Sequence, residues 1–249
     1  MLPRTNCLAV LLVATATFAT TANADDADQK KARTIIDRAI EAQGGAEAVA
    51  KQKRILVEDR GTFYGMGQGL PYEGRFAIDF PNRWSIEIVN VFTLVIDGDK
   101  GSMVVQGAKI PLDEAAMKEQ KLQTHSGYIT TLIPLLKPKK EYRLKLFGTE
   151  KVDGEECDGV NVERDDYRTV TLLFSRDSGL LKKSVTVVVD DQTGKEVVEE
   201  SVYSDFRELD GGKFAYRVTI SRDGKKYVES ETTKLELPEK LDDALFKTE

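Results

Sequence analysis

The chain has a single histidine, His125, among its 249 residues. No pair of imidazoles is therefore available to grip a metal, and a Ser-His-Asp relay would have to be built on this one residue. His125 falls on an apolar helical stripe with no nucleophile-elbow motif nearby, a placement that favours packing over chemistry. Cysteine is almost as scarce. Cys7 lies in an N-terminal apolar segment and Cys157 is the other, so removal of that segment leaves no partner for an internal disulfide and stability has to come from the core. Cys157 precedes Asp158-Gly159 and reads as a small buried hydrophobe at a hairpin, with Glu155, Glu156 and Asp158 suppressing its thiolate.

Positive charge is also in deficit. Lys and Arg number 36 against 42 Asp and Glu, for a net charge of −6, which argues against nucleic acid or anionic headgroups as the main partner. The densest basic run, Lys137, Lys139 and Lys140, ends at Glu141. Apart from the N-terminal segment, no stretch approaches the roughly 20 apolar residues of a membrane-spanning helix. No Pro- or Ser-rich linker divides the chain, so one domain is expected.

Several short motifs fall short of the chemistry they suggest. Asp97-Gly98-Asp99-Lys100-Gly101 begins like a calcium loop but places Gly101 where a third oxygen donor belongs, so a hairpin turn explains it better. The Gly65, Gly67, Gly69 triplet precedes Pro71 and a strand, whereas a phosphate cradle needs a helix N-terminus; hairpin flexibility is preferred to a mobile loop at a cavity rim. Asp165-Asp166 and Glu199-Glu200 read as solvated surface, not as catalytic carboxylate pairs. No catalytic residue, metal ligand or cofactor is expected, and the chain is not read as an enzyme.

What the sequence does contain is alternation. Phe214, Tyr216, Val218 and Ile220 alternate with Lys213, Arg217, Thr219 and Ser221, and Val170, Leu172, Phe174 and Val185, Val187, Val189 repeat the pattern. Asp153-Gly154, Asp158-Gly159, Asp210-Gly211-Gly212 and Asp223-Gly224 supply turns for antiparallel hairpins. Earlier, a strand near 54–64 precedes one-faced runs at Phe76, Ile78, Phe80, then Trp84, Ile86, Ile88, then Phe92, Leu94, Ile96. The alternation predicts about eleven strands and two or three short helices, and a sheet of that size has to curl or split.

The helices are predicted at 27–43, where Ile35, Ile36, Ala39 and Ile40 form a stripe stopped by Gly44-Gly45, at a short turn over 46–51, and within 111–137. In the last, Leu122, His125, Ile129, Leu132 and Leu136 recur at steps of three and four, interrupted by Gly127 and broken by Pro134. Residues 1–24 have the layout of a cleavable secretory signal, with Arg4, an apolar run from Cys7 to Ala19, and small residues at Ala22 and Ala24. The mature chain is then expected to be 25–249, exported, and without a lipid anchor, because no cysteine stands directly after the apolar run as the first mature residue.

Particular stretches resemble the outer-membrane lipoprotein-sorting (LolA/LolB-like) superfamily: the run from Ile36 to Gly45, Phe80-Pro81-Asn82-Arg83-Trp84, Leu172-Leu173-Phe174 with the run from Ser178 to Lys183, Tyr203-Ser204-Asp205-Phe206 with the run from Asp210 to Phe214, and the ending from Leu241 to Phe246. The resemblance implies a mainly β, α+β fold. In it a strongly curved antiparallel sheet forms a half-open barrel, its concave face covered by the N-terminal helix and a middle helical lid. It further implies a periplasmic protein that binds or carries lipid or lipoprotein acyl chains in an apolar lumen. The partners expected are acyl chains or lipoprotein and a membrane-associated donor or acceptor protein, with the chain a monomer. The alternative is an envelope-stress sensor or protein-interaction module on the same fold. Alternation assigns Phe76, Ile78, Trp84, Ile86, Ile88, Phe92 and Leu94 to the concave side, and the middle helix adds Leu122, Ile129, Leu132 and Leu136 as ligand-lining residues. For Trp84, lining a cavity and filling the core stand as equal readings.

Overall fold

A computed structural model describes residues 21–190 and 192–247; the expected signal lies outside the described residues as far as residue 20. Helices α1 (Thr21–Ala42) and α2 (Gly45–Lys51) lead into strands β1 (Arg54–Phe63), β2 (Leu70–Asp79), β3 (Arg83–Ile88), β4 (Phe92–Asp97), β5 (Lys100–Val105) and β6 (Ala108–Pro111). Helix α3 (Glu114–Thr130) and a 3-10 turn (Ile133–Leu135) follow. The chain continues with β7 (Arg143–Val152), β8 (Glu155–Glu163), β9 (Val170–Ser175), β10 (Leu181–Val189), β11 (Glu196–Leu209), β12 (Gly212–Arg222) and β13 (Lys225–Glu236), then a second 3-10 turn (Asp243–Phe246). All the strands join one 13-stranded antiparallel sheet in the order β6-β5-β4-β3-β2-β1-β13-β12-β11-β10-β9-β8-β7. Neighbours in space are neighbours in sequence except where β1 meets β13, the seam that joins the two runs of strands, and the consecutive strands β6 and β7 lie at opposite edges.

Turn chemistry accounts for the hairpins. Asp153-Gly154, Asp210-Gly211 and Asp223-Gly224 all take positive φ at both residues, the geometry whose twist matches the flanking strands. The stop after α1 is sterically enforced. Gly44 sits at φ 111°, and a Cβ there would lie 2.0 Å from the Gly211 carbonyl oxygen.

Register shows what lies on each face. Leu146, Val160, Leu172, Ser184, Ser201, Ile220, Val228 and Phe63 are successive cross-strand partners, and Ile110, Met103, Leu94, Ile86, Phe76 and Val57 form a second such row. Both rows meet β1 at an even spacing, so both lie on one face. Helix α1 covers one end of that face, burying Ala32, Ile36, Ala39 and Ile40 against Leu144, Val160, Leu172 and Phe174. At the other end Met117 of α3 packs on Leu94 and Ile96. The opposite face over β1 to β4 is closed by Leu241 and Phe246, which bury Leu56, Ala77 and Val95. Arg83 fixes that closure by donating to Asp79 at 2.7 Å and to Asp243 at 2.9 Å, with its guanidinium 4.7 Å from the Phe246 ring.

Four local readings need correction. The strands number 13, not about eleven, because β5, β6, β7 and β8 are short or irregular in alternation. Asp158-Gly159 is no turn: it lies inside β8, paired with Thr149 and Gly148 on one side and Phe174 and Leu173 on the other. Cys157 is therefore a strand residue, fully buried against Val152 and Leu173. Gly127 does not interrupt α3; the helix runs on to Thr130 and breaks where Leu132 takes φ 62°.

The middle helix also differs from its apolar stripe. Its buried positions are Met117, Thr124, His125, Ser126 and Ile129, more polar than apolar, so its attachment relies on specific polar contacts. The foremost is Arg168, which grips Glu119 bidentately at 2.7 and 2.6 Å. Both side chains are largely buried, at 13% and 15% exposure. Gln123 and the Val189 amide donate to the same carboxylate at 2.8 and 3.3 Å. Burial alone would raise the Glu119 carboxyl; the hydrogen bonds from Arg168, Gln123 and Val189 outweigh it and hold the group below the ordinary carboxylate range. Removing one member of such a pair strands the other, so Glu119→Ala is expected to lower the urea-unfolding free energy by about 3 kcal/mol. Hydrogen exchange should accelerate in α3 first, and unchanged α3 protection would show that the pair does not hold the helix.

Candidate functional site

The concave face is not filled. Phe76, Ile78, Trp84, Ile86, Ile88 and Phe92 are half-buried and Leu94 is buried, and the ladders place all seven on the face that carries α1 and α3. Trp84, Ile86, Phe92 and Leu94 converge on one apolar cluster with Ile96, Met103, Leu112 and Met117. Phe76 and Ile78 continue the surface toward the middle strands as cross-strand partners of Ile86 and Trp84. Helix residues expected beside them are distributed differently. Leu122 is half-buried. Ile129 and Leu132 are fully buried in the core under α1, with Leu136 packed at its edge.

Beneath α3 lies a cavity of about 210 Å³. Trp84 borders it on the β3 side, Ser126, Gly127 and Thr130 roof it, and Val188 and Tyr203 form its far wall together with Ser184, Thr186, Glu199 and Ser201. Small and polar groups in the roof leave this space where a leucine-rich helix would have filled it; a Cβ on Gly127 would meet nothing within 4 Å. The Trp84 Nε1 is buried without a hydrogen-bond partner among the described residues. The Tyr203 hydroxyl pairs with Ser184 at 2.9 Å, and burial holds it protonated by raising its pKa.

The other side of α3 borders a pocket of about 440 Å³. The β2–β3 and β4–β5 turns supply Asn82 and Asp99, and the β8–β9 loop with the segment before β7 supplies Arg164, Tyr167 and Tyr142, so the pocket lies between the two runs of strands. His125 is sandwiched there, its ring 3.9 Å from that of Tyr167 and 5.9 Å from that of Tyr142. Its Nε2 lies 3.3 Å from the Tyr142 hydroxyl, while Nδ1 is buried without a partner.

Loops draw another part of the barrel rim together. Gln192, in the β10–β11 hairpin, donates to the Gly65 carbonyl at 2.8 Å, so the glycine-rich β1–β2 loop is tied across the rim. Arg222 braces the same region: it contacts Glu199 at 2.9 Å and Asp190 at 3.5 Å, with its guanidinium 3.7 Å from the Tyr227 ring. A further depression, about 980 Å³, is broad and open over the middle strands and carries Arg60, Glu73, Arg217, Glu229 and Glu231. Exposed pairs such as Arg60–Glu231 at 3.3 Å mark it as solvated surface. Among the described residues no cluster of three or more His, Cys, Asp or Glu side chains is placed to hold a metal ion, and no helix is long and apolar enough to cross a membrane.

Sequence reasoning missed Glu119, Arg168, Tyr128, Tyr142, Arg164 and Tyr167. The clustering of Tyr142, Arg164 and Tyr167 around one strand pair was the only available signal, and it is a weak one.

No family model matches the chain, and no curated protein matches it. Solved structures do. A DUF1329 family protein from Desulfovibrio piger superposes with TM-score 0.58 at 14% identity, over 88% of this chain and 97% of its own. A LolA superfamily protein from Nitrosomonas europaea gives 0.55 at 15% identity, over 87% and 97%. A Vibrio parahaemolyticus domain that bears the name outer membrane lipoprotein-sorting protein gives 0.55 at 9%, over 88% and 97%. The chain thus has the LolA-like fold, a curved antiparallel sheet with helices on its concave side.

The buried imidazole has a pH signature. Burial, then the nearby Arg164 charge, push the His125 pKa from 6.5 down to about 4. The folded protein therefore keeps the ring neutral where the unfolded chain protonates it, so stability is full above about pH 6.5 and falls as the pH drops toward 4, by at most about 3 kcal/mol. His125→Gln is expected to flatten that limb of the stability–pH curve, as read by urea melts at several pH values. An identical slope in the variant would place the titration elsewhere.

Proposed function

We propose that the protein is a periplasmic binding or carrier protein for lipid or lipoprotein acyl chains, acting without covalent catalysis. One observation carries this reading: the concave apolar surface from Phe76 to Leu94 is only half covered and runs at Trp84 into a cavity under a helix held mainly by polar contacts. The secretory layout of residues 1–24 supports the compartment, and the shared LolA-like fold supports a hollow-bearing architecture.

At about 210 Å³ the cavity is smaller than the ~300 Å³ at which ligand pockets usually begin, so an acyl chain enters only if α3 moves. The helix is suited to do so. Its roof residues, Ser126, Gly127 and Thr130, are small or polar, while Leu132, locked in the core just beyond the helix end, serves as the fixed point about which α3 swings. This differs from a lid that opens over Leu112 to Lys137 as a whole, because Ile129 and Leu132 are buried in the core. Each methylene buried is worth about 0.8 kcal/mol relative to water and almost nothing relative to a membrane, so transfer is set by small packing differences and the chain is exchangeable.

Trp84 is the only tryptophan and reports the lumen directly. A fatty acid carrying a nitroxide on its chain is expected to quench Trp84 fluorescence saturably. Gly127→Leu fills the cavity and improves helix propensity by about 0.8 kcal/mol, so this variant should melt no lower than wild type yet bind the quencher about tenfold more weakly. Absence of saturable quenching in the wild type, together with lipid-free organic extracts of periplasmic protein, would remove the acyl-chain reading.

A further inference from the structure

We infer that the pocket between α3 and the β8–β9 loop is a headgroup site that binds the oxyanion, carboxylate or phosphate, of the amphiphile whose chain lies under α3. The inference rests on the acyl-binding reading and names the polar end of the same ligand.

The basic group at the centre of the pocket is Arg164. Among the described residues no carboxylate pairs with it: its polar contact is the Tyr142 hydroxyl at 3.3 Å, and its guanidinium lies 5.5 Å from the Tyr142 ring centre and 4.7 Å from that of Tyr167. Two aromatic faces thus hold a half-buried guanidinium in place while leaving most of its donors for a ligand. A fork of this kind suits a carboxylate or phosphate. The other cations in the pocket are committed to different degrees. Lys121 is bound to Asp99 at 2.6 Å, whereas Lys139 reaches Glu141 only at 3.9 Å, so Lys139 is the second group free to turn toward an anion.

A second observation is independent of charge. His125 is 7% exposed and lines the same pocket, and its Nδ1 is buried with no hydrogen-bond partner. A buried polar atom of this kind costs stability unless something else satisfies it. A ligand oxygen entering beside Arg164 is of the right chemistry to do so.

The surroundings favour an amphiphile over a free ion. The pocket wall includes Ile96, which belongs to the apolar cluster of Leu94 and Met117. Its cross-strand partner is Trp84, the residue that borders the cavity under α3. Helix α3 separates the two spaces, with Lys121, Thr124, His125 and Tyr128 on one side and Gln123, Ser126, Gly127 and Thr130 on the other. Movement of that helix joins an anion-binding end to an apolar end.

The test uses the full mature chain with oleic acid and methyl oleate, each competing against the nitroxide probe, and inorganic phosphate alone followed by calorimetry. Oleate is expected to bind about tenfold more tightly than its methyl ester. Arg164→Gln should abolish that preference without weakening the ester, Arg164→Lys should retain part of it, and Arg217→Gln, on the charged open surface, should leave it intact. Equal binding of acid and ester by the wild type overturns the headgroup site while leaving acyl binding in place; failure of both to bind overturns acyl binding and the inference together. Phosphate that binds alone as tightly as oleate, in an Arg164-dependent way, also overturns it, since the pocket would then serve a free anion. Should Arg164→Gln not fold, the wild-type comparison and Arg164→Lys still decide the matter.

Discussion

An antiparallel sheet of 13 strands with one apolar face has to keep that face from water, and among the described residues the helical cover is sparse: α1, α3 and the short α2, whose Val49 joins the core under α1. The deficit organises the molecule. Helix α1 covers the β7–β10 end so closely that Leu172 and Phe174 have no exposure, as expected where a helical stripe of Ile and Ala meets Leu and Val on a pleated surface. The β2–β4 end receives less. One methionine from α3 reaches its cluster and buries Leu94 and Ile96, while Trp84, Ile86, Phe92 and Met103 around them stay half-buried. The outer face shows the contrast: Leu241 and Phe246, at the end of the chain, suffice to seal a smaller apolar patch.

Helix α3 is held by the contacts that remain once apolar cover runs short. Its carboxylate Glu119 gathers four donors, two from Arg168 and one each from Gln123 and Val189. A buried ion pair of this kind gives little net stability relative to a hydrophobic contact of the same volume, because desolvation offsets much of the attraction. It does fix position. A helix positioned by a localised polar clasp and by Ile129, with Ser126 and Gly127 above an unfilled space, is restrained at defined points instead of along its length. Such an element opens at lower free energy than the core to which it is anchored.

The same arrangement separates two chemical environments by one helix. On one side are Trp84, Val188 and Tyr203; on the other are a guanidinium between tyrosine rings and a neutral imidazole. Helix α3 forms a wall of both spaces, and the β8–β9 loop adds Arg164 and Tyr167 to the second. The fold is common to proteins only 9% to 15% identical to this one, so the architecture is shared while most of the side chains on it are not.

Much of the fold was legible because its code is local. Period-two runs such as Phe92, Leu94, Ile96 identify a strand and its buried face without reference to any other part of the chain, and Asp-Gly pairs state where it turns. The same locality explains the errors: Asp158-Gly159 carries turn chemistry yet sits in β8, since pairing with β7 and β9 overrides two residues' preference. Likewise the stripe through Leu122, Ile129 and Leu132 gave the helix but not its contacts, which turned out to be a polar underside and a core anchor. By itself, then, the sequence determined most of the strands, the inner face of β2 to β4, most turns and the first helix, because these depend on neighbours a few residues apart, whereas in β10 it chose the wrong face: Val188 is buried and Val187 exposed. Only the tertiary structure decided that Glu119 meets Arg168, that His125 lies between Tyr142 and Tyr167, and that Trp84 faces Tyr203 across a cavity. Those meetings depend on how a twisted 13-stranded sheet curls and where its two runs come together, a property of the whole sheet that no short window of residues encodes.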